Sequence, residues 1–194
     1  MLRTVAKLSL GLAVLAVLAV SKPVAISRGA AKPQAARANV AIPHREPRPE
    51  DVSSIDGMVK AYYEVVSGPA EKDREWGRDA TLYVPGIRFI IFSQGKDGKT
   101  VARSLSHQEF VNESDPAMKN KGFYEHQVHR ITHRIGNVVH VMSTAEQQSE
   151  PGGPVNGQSI DSLEMYWDGA RWWIASANIW ELKSGQPLPK EFLP

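Results

Sequence analysis

Residues 122 to 182 read as four successive strands, and no other segment constrains the fold as much. The strands are separated by Gly136-Asn137, by a loop around Gly152-Gly153-Pro154, and by Asp168-Gly169. Asn, Asp and Gly in such pairs tolerate the positive φ angles that join antiparallel neighbours through two residues. Four strands of this kind, placed after helical segments, make a curved sheet that closes over a pocket.

The faces of these strands decide what lines that pocket. After Gly122, residues Phe123, Glu125, Gln127, His129, Ile131 and His133 share one side of an extended strand, and Tyr124, His126, Val128, Arg130, Thr132 and Arg134 share the other. The first set is expected to face inward because the second ends in Arg-Thr-Arg, although a bulge would exchange the faces midway. In the last strand Trp172, Ile174, Ser176, Asn178 and Trp180 alternate with Trp173, Ala175, Ala177 and Ile179. Both faces then carry apolar bulk, as in a central strand.

Upstream, Ser53 with Asp56 three residues on is close to a capping box. Ile55, Met58, Val59, Tyr62, Tyr63 and Val66 recur at spacings of three and four, giving a helix that Ser67-Gly68-Pro69 ends. A shorter helix is expected over 70–82 around Trp76, broken by Pro85-Gly86. Residues 87–93 read as a strand, Lys96-Asp97-Gly98-Lys99 as a hairpin turn into 100–105, and Ser106 as the start of a third helix with Asp115-Pro116 near its end.

The N-terminal quarter has a different character. Arg3 and Lys7 precede the 13-residue apolar run 8–20, the layout of a secretory signal peptide with a cut after Ser21 or, in competition, after Ala19. That run is shorter than the roughly 18–20 residues an anchor helix needs, so the expectation is an exported chain, periplasmic or secreted, without stable membrane insertion after processing, with an uncleaved anchor as the minority alternative. Residues 22–50 hold five prolines and no aromatic residue, and are expected to be a disordered linker. The folded part should therefore cover 51–184, with 185–194 as a C-terminal tail.

Charge follows the same division. Residues 1–50 carry eight Lys/Arg and two Asp/Glu, leaving 15 and 19 for the remainder, a net charge of −4. A basic footprint for nucleic acid is missing. With no cysteine in the chain, disulfides and thiolate chemistry are excluded.

The order helix, short helix, hairpin, helix and long meander, together with Tyr62-Tyr63-Glu64-Val65-Val66-Ser67-Gly68-Pro69, the stretch 76–88 with Leu82 and Pro85, Gly122-Phe123, Gly136-Asn137-Val138-Val139-His140-Val141 and Asp168-Gly169-Ala170-Arg171-Trp172-Trp173-Ile174, resembles the nuclear transport factor 2-like (NTF2-like) superfamily. Within it, the likeness is to SnoaL-like and DUF4440-type bacterial domains. The resemblance implies an α+β cone, a curved antiparallel sheet wrapped around about three helices. Members that resemble this chain include isomerases, dehydratases, cyclases and binding proteins, so the likeness selects no reaction.

Candidate site residues follow from the expected faces. Glu125 and His129, a carboxylate and an imidazole on the inward face, are the parts a general acid/base site needs. Tyr63, Trp76, Phe110 and Trp180 are candidate pocket walls, although aromatic residues at such spacings also build plain core. Ser162 and Asn178 are small polar groups of the kind that orient a ligand. His129 and His133 lie about 13 Å apart along a strand, too far to share an ion, so no metal is expected, and nothing calls for a cofactor. Three functions stay open: binding of a small, mostly apolar molecule, acid/base catalysis with His129 as base and Glu125 as its partner, or a module that forms a homodimer through the outer sheet face.

Overall fold

Two antiparallel units make up the sheet of this computed structural model, in which residues 39–182 and 185–193 are described. The first is the hairpin β1 (Arg88–Gln94) and β2 (Thr100–Ser106), and the second the meander β3 (Tyr124–Ile135), β4 (Val138–Gln148), β5 (Gly157–Trp167) and β6 (Trp172–Glu181). They join through a parallel pairing of β1 with β6, giving the order β2-β1-β6-β5-β4-β3. The last strand is therefore central, as its two apolar faces required.

Helices cover one side of the curved sheet. Helix α1 (Pro49–Val52) is a single turn, and α2 (Ile55–Glu64) starts at Ser54, whose side chain accepts from Gly57 N at 3.0 Å. The cap is thus one residue later than the sequence pattern suggested. Met58, Val59, Tyr62 and Tyr63 form the buried face of α2. The expected second helix is shorter than 70–82: α3 spans Trp76–Asp79 and passes into a 3-10 turn, Ala80–Leu82. Helix α4 (His107–Lys121) opens on a complete capping box between Ser106 and Glu109. It runs through Pro116 rather than stopping there, and side chains tie its second half down. Asp115 accepts from Trp76 Nε1 at 2.7 Å, and Lys119 reaches Asp115 at 3.0 Å.

The bulk of the core lies between these helices and the inner face of the sheet, with Phe89, Val139, Val141, Leu163, Met165 and Ile174 fully buried. Which residues face inward is set by two irregularities. β3 slips register between Gln127 and His129, and β6 pairs Glu164 with Ser176 but Met165 with Ile174. Each bulge inserts one unpaired residue, Val128 and Ala175, and exchanges the faces beyond it. The inner face of β3 consequently reads Glu125 and Gln127, then Arg130, Thr132 and Arg134, opposite the buried Ala145, Ser143, Val141 and Val139.

The boundary expected at residue 51 falls inside packed structure. Val40 N donates to Asn112 Oδ1 at 2.9 Å, Gln108 Nε2 donates to Val40 O at 2.9 Å, and Val40 and Ile42 pack against the core. At least 39–50 therefore belong to the folded body and not to a disordered linker. Polar anchoring to α4 substitutes for the apolar bulk this segment lacks. The C-terminal segment is also fixed: Phe192 is buried, and its carbonyl accepts from Thr144 Oγ1 at 2.9 Å. Among the described residues no helix is long and apolar enough to cross a membrane. The expected signal peptide lies outside the described residues.

Candidate functional site

A cavity of about 590 Å³ opens between α4 and the inner face of β3 to β6. Tyr62, Tyr83, Phe110 and Phe123 supply aromatic walls, and four carboxyl groups line it: Glu113 on α4, paired with Arg103, and the three strand acids Glu125, Asp161 and Glu181. Sequence alternation places these acids. Glu125 precedes the bulge in β3 and keeps the inward sense, Asp161 sits in β5 between inward Ser159 and Leu163, and Glu181 pairs with Ser159 beyond the β6 bulge.

Asp161 is the deepest of the three at 1% exposure. Tyr63, on α2, donates its hydroxyl to Asp161 Oδ2 at 2.9 Å and lies 2.7 Å from Ser143 Oγ. Gln127 Nε2 donates to the same Ser143 oxygen at 2.6 Å. Asp161 Oδ1 is buried and receives no hydrogen bond. Glu125 is half-buried, and its Oε1 accepts from Gln147 Nε2 at 2.9 Å and from Ser159 Oγ at 3.5 Å.

Neither Glu125 nor Asp161 has an ion pair with a Lys, Arg or His among the described residues. Removal from water without a counter-charge penalises the ionised form. Burial is the largest cause holding Glu125 up at about 8, and the neighbouring Asp161 charge adds to it against the hydrogen bonds from Gln147 and Ser159. Burial likewise pushes Asp161 up to about 7, although the Tyr63 hydroxyl favours its ionised form. Around neutral pH the pair therefore holds both an acid that can donate and a base that can accept, the state general acid/base chemistry requires.

Tyr83 closes the cavity on the side of the 3-10 turn. Its hydroxyl donates to the fully buried Asp79 Oδ1 at 2.8 Å, and His107 Nε2 donates to Asp79 Oδ2 at 2.6 Å. The ring of His107 stacks near Phe89, so this second polar cluster sits against the wall of the cavity without entering it.

The residues expected at the site divide between the two sheet faces. Glu125 and Phe110 line the cavity. Tyr63 is buried beside it and holds Asp161 in place. Trp76 is core, its indole bound to Asp115 and set edge-on to Phe110 at 6.4 Å. His129 is on the outer face, paired with Thr144, because the Val128 bulge lies between it and Glu125. It cannot act with Glu125 as a base. Ser162, Asn178 and Trp180 are also on the outer face, where they line a groove of about 440 Å³ covered by residues 186–192. His140 Nε2 lies 2.9 Å from Ser162 Oγ there. Asn178 and Trp180 lie beyond the Ala175 bulge, which separates them from inward Ile174.

Asp161 was missed by the sequence reading. Its signal was present: in Ser159, Asp161, Leu163 and Met165 an acid alternates in step with apolar residues, which puts it on the core side of a strand.

A six-stranded, mostly antiparallel curved sheet with helices α1 to α4 packed on one side is the α+β arrangement that the resemblance implied. The sequence matches no protein-family profile and no curated protein. Among solved structures, it is similar to a function-unknown protein from Mycobacterium tuberculosis, with 12% identity over 71% of this chain and 80% of that one and a TM-score of 0.48. It is also similar to NTF2-like proteins of unknown function from Silicibacter pomeroyi (11% identity, 67% and 94% covered, TM-score 0.44) and Methylobacillus flagellatus (15%, 67% and 95%, TM-score 0.41). At these values no residue role is carried over from any of them.

Proposed function

We propose that this chain is an exported domain of the SnoaL-like, DUF4440-type group whose cone holds a small, mostly apolar molecule, and that the Glu125–Asp161 pair exchanges a proton with it. One observation carries the reading. Two carboxyl groups share one aromatic-walled cavity with no cation among the described residues against either of them, an arrangement whose penalty in stability is retained where the groups have work to do. In that work the ionised member removes a proton from the ligand while the neutral member donates to the atom on which charge develops. Tyr63 fixes Asp161 so that both act from one geometry.

Proton exchange is measurable without knowing the product. With the protein in D2O and a panel of cyclic ketones, α-hydrogen exchange followed by NMR is expected to exceed that in buffer alone for at least one compound. Asp161→Asn is expected to lower the rate by about 100-fold or more, the usual size of a positioned acid or base. Compounds that bind yet exchange no faster than in buffer would reduce the function to binding alone.

Pairing of two copies through the outer sheet face has less support. Residues 186–192 already lie on that face, with Phe192 buried against it.

A further inference from the structure

We propose that the ligand of the cavity is an organic cation, a primary or secondary amine on a compact apolar body, held by Asp161 with Glu125 and Glu181. This rests on the reading of the cone as a small-molecule pocket and names the class of molecule it takes.

The inner end of the cavity calls for a donor. Asp161 is 1% exposed, Tyr63 occupies its Oδ2, and among the described residues no group donates to Oδ1. A buried acceptor left in that state is destabilising, and a ligand N–H or O–H removes the penalty.

Charge then distinguishes among donors. Among the described residues Glu125 and Asp161 have no cationic partner, and Glu181 lines the same cavity near its solvent-exposed end. Two cations also line it. Arg103 is bound to Glu113 at 2.7 Å, and Lys121 is exposed at the end of α4. Neither contacts the three acids. The other titratable groups against the pair are the phenols of Tyr62 and Tyr63 on α2 and of Tyr83 beyond the 3-10 turn. Burial raises all three well above their usual range, so they remain neutral donors.

An ammonium group supplies both missing elements, the hydrogen bond to Oδ1 and the counter-charge. The rings of Tyr62, Phe110 and Phe123 suit the apolar body and favour a cation over their faces. A neutral alcohol supplies only the hydrogen bond, and a carboxylate meets like charge. Because the ammonium favours the ionised pair, its binding releases to the buffer a proton that the pair had held.

The test uses the protein with the neutral dye Nile red and three isosteric probes: benzylamine, benzyl alcohol and benzoate. Benzylamine is expected to displace the dye about 10- to 100-fold more strongly than benzyl alcohol, with benzoate weakest, the difference expected of a charge-assisted hydrogen bond. Calorimetry at pH 7 in two buffers of different ionisation enthalpy is expected to show proton release on benzylamine binding only. Asp161→Asn should bring the amine and the alcohol to within about threefold of each other. If the dye binds and the alcohol or benzoate competes as well as the amine, the proposal of a cation falls while the pocket stands. If neither the dye nor any probe binds, the pocket falls and the cation with it.

Discussion

Replacing Glu125 with Gln and Asp161 with Asn together is expected to raise the melting temperature at pH 8 by about 5–10 °C and to leave it nearly unchanged at pH 4. Both carboxyl groups release their protons at higher pH in the folded chain, near 8 and 7, than in the unfolded one, where the ordinary values are 4.5 and 3.8. Over that interval the native state binds more protons than the unfolded state, so stability falls as pH rises from about 4 to about 8 and is level outside those limits. At pH 4 the two groups are already neutral in the fold, and amides of the same shape change little. At pH 8 the wild-type protein holds buried charge that the variant lacks. The difference is about 2–4 kcal/mol for the pair, after a discount for solvent that reaches Glu125 through the cavity. Thermal denaturation at the two pH values checks this. A variant less stable than wild type at pH 8 would mean that the carboxylates are supported in ionised form by contacts other than those described.

Arg78→Met is expected to destabilise the chain by about 3–5 kcal/mol, because it strands a buried carboxylate. Arg78 bridges the helical layer: Nε and Nη2 donate to the two oxygens of Asp51, both at 2.7 Å, Nη1 donates to Glu75 at 2.6 Å, and Nη2 also donates to Glu64 at 2.9 Å. Asp51 is 3% exposed, whereas the Glu64 and Glu75 side chains retain 43% and 46% of their exposure. The loss therefore concentrates on Asp51. Adding Asp51→Asn to Arg78→Met should recover more than half of it, and Arg78→Lys should lie between, since a lysine keeps the charge but not the planar fork. Chemical denaturation of the four proteins separates these outcomes. Equal stability of Arg78→Met and wild type would show that α1 contributes nothing to the body of the fold.

Arg78 and Asp51 also illustrate what the sequence left hidden. Turns were legible because their chemistry is local: Gly136 and Gly169 both have positive φ, at the tight turns expected there. So were the capping box at Ser106 and the apolar face of α2. Helix α1 and residues 39–50 were not legible, since they are fixed by polar contacts to α3 and α4 that no local pattern announces. The parallel β1–β6 pairing, a non-local contact, was equally invisible.

The candidate site was half legible for one reason. Period-two alternation carries a face assignment only as far as the next bulge. Glu125 lies before the bulge in its strand and was placed inward, whereas His129, Asn178 and Trp180 lie beyond bulges and emerged on the outer face. Strand β5 pairs without a slip through Ser159 to Glu164, so an alternation argument applied to it would have found Asp161.

The pairing of two uncompensated carboxyl groups in one cavity is tested most directly by carbon-13 NMR. With Glu and Asp labelled at their side-chain carboxyl carbons, and Glu125→Gln and Asp161→Asn used for assignment, a pH titration follows each group. The account predicts that two resonances titrate between about pH 6 and 9, that each variant removes one of them, and that the partner's midpoint falls when the neighbouring charge is gone. Midpoints below about pH 5 for both groups, the range of solvated carboxylates, would contradict it.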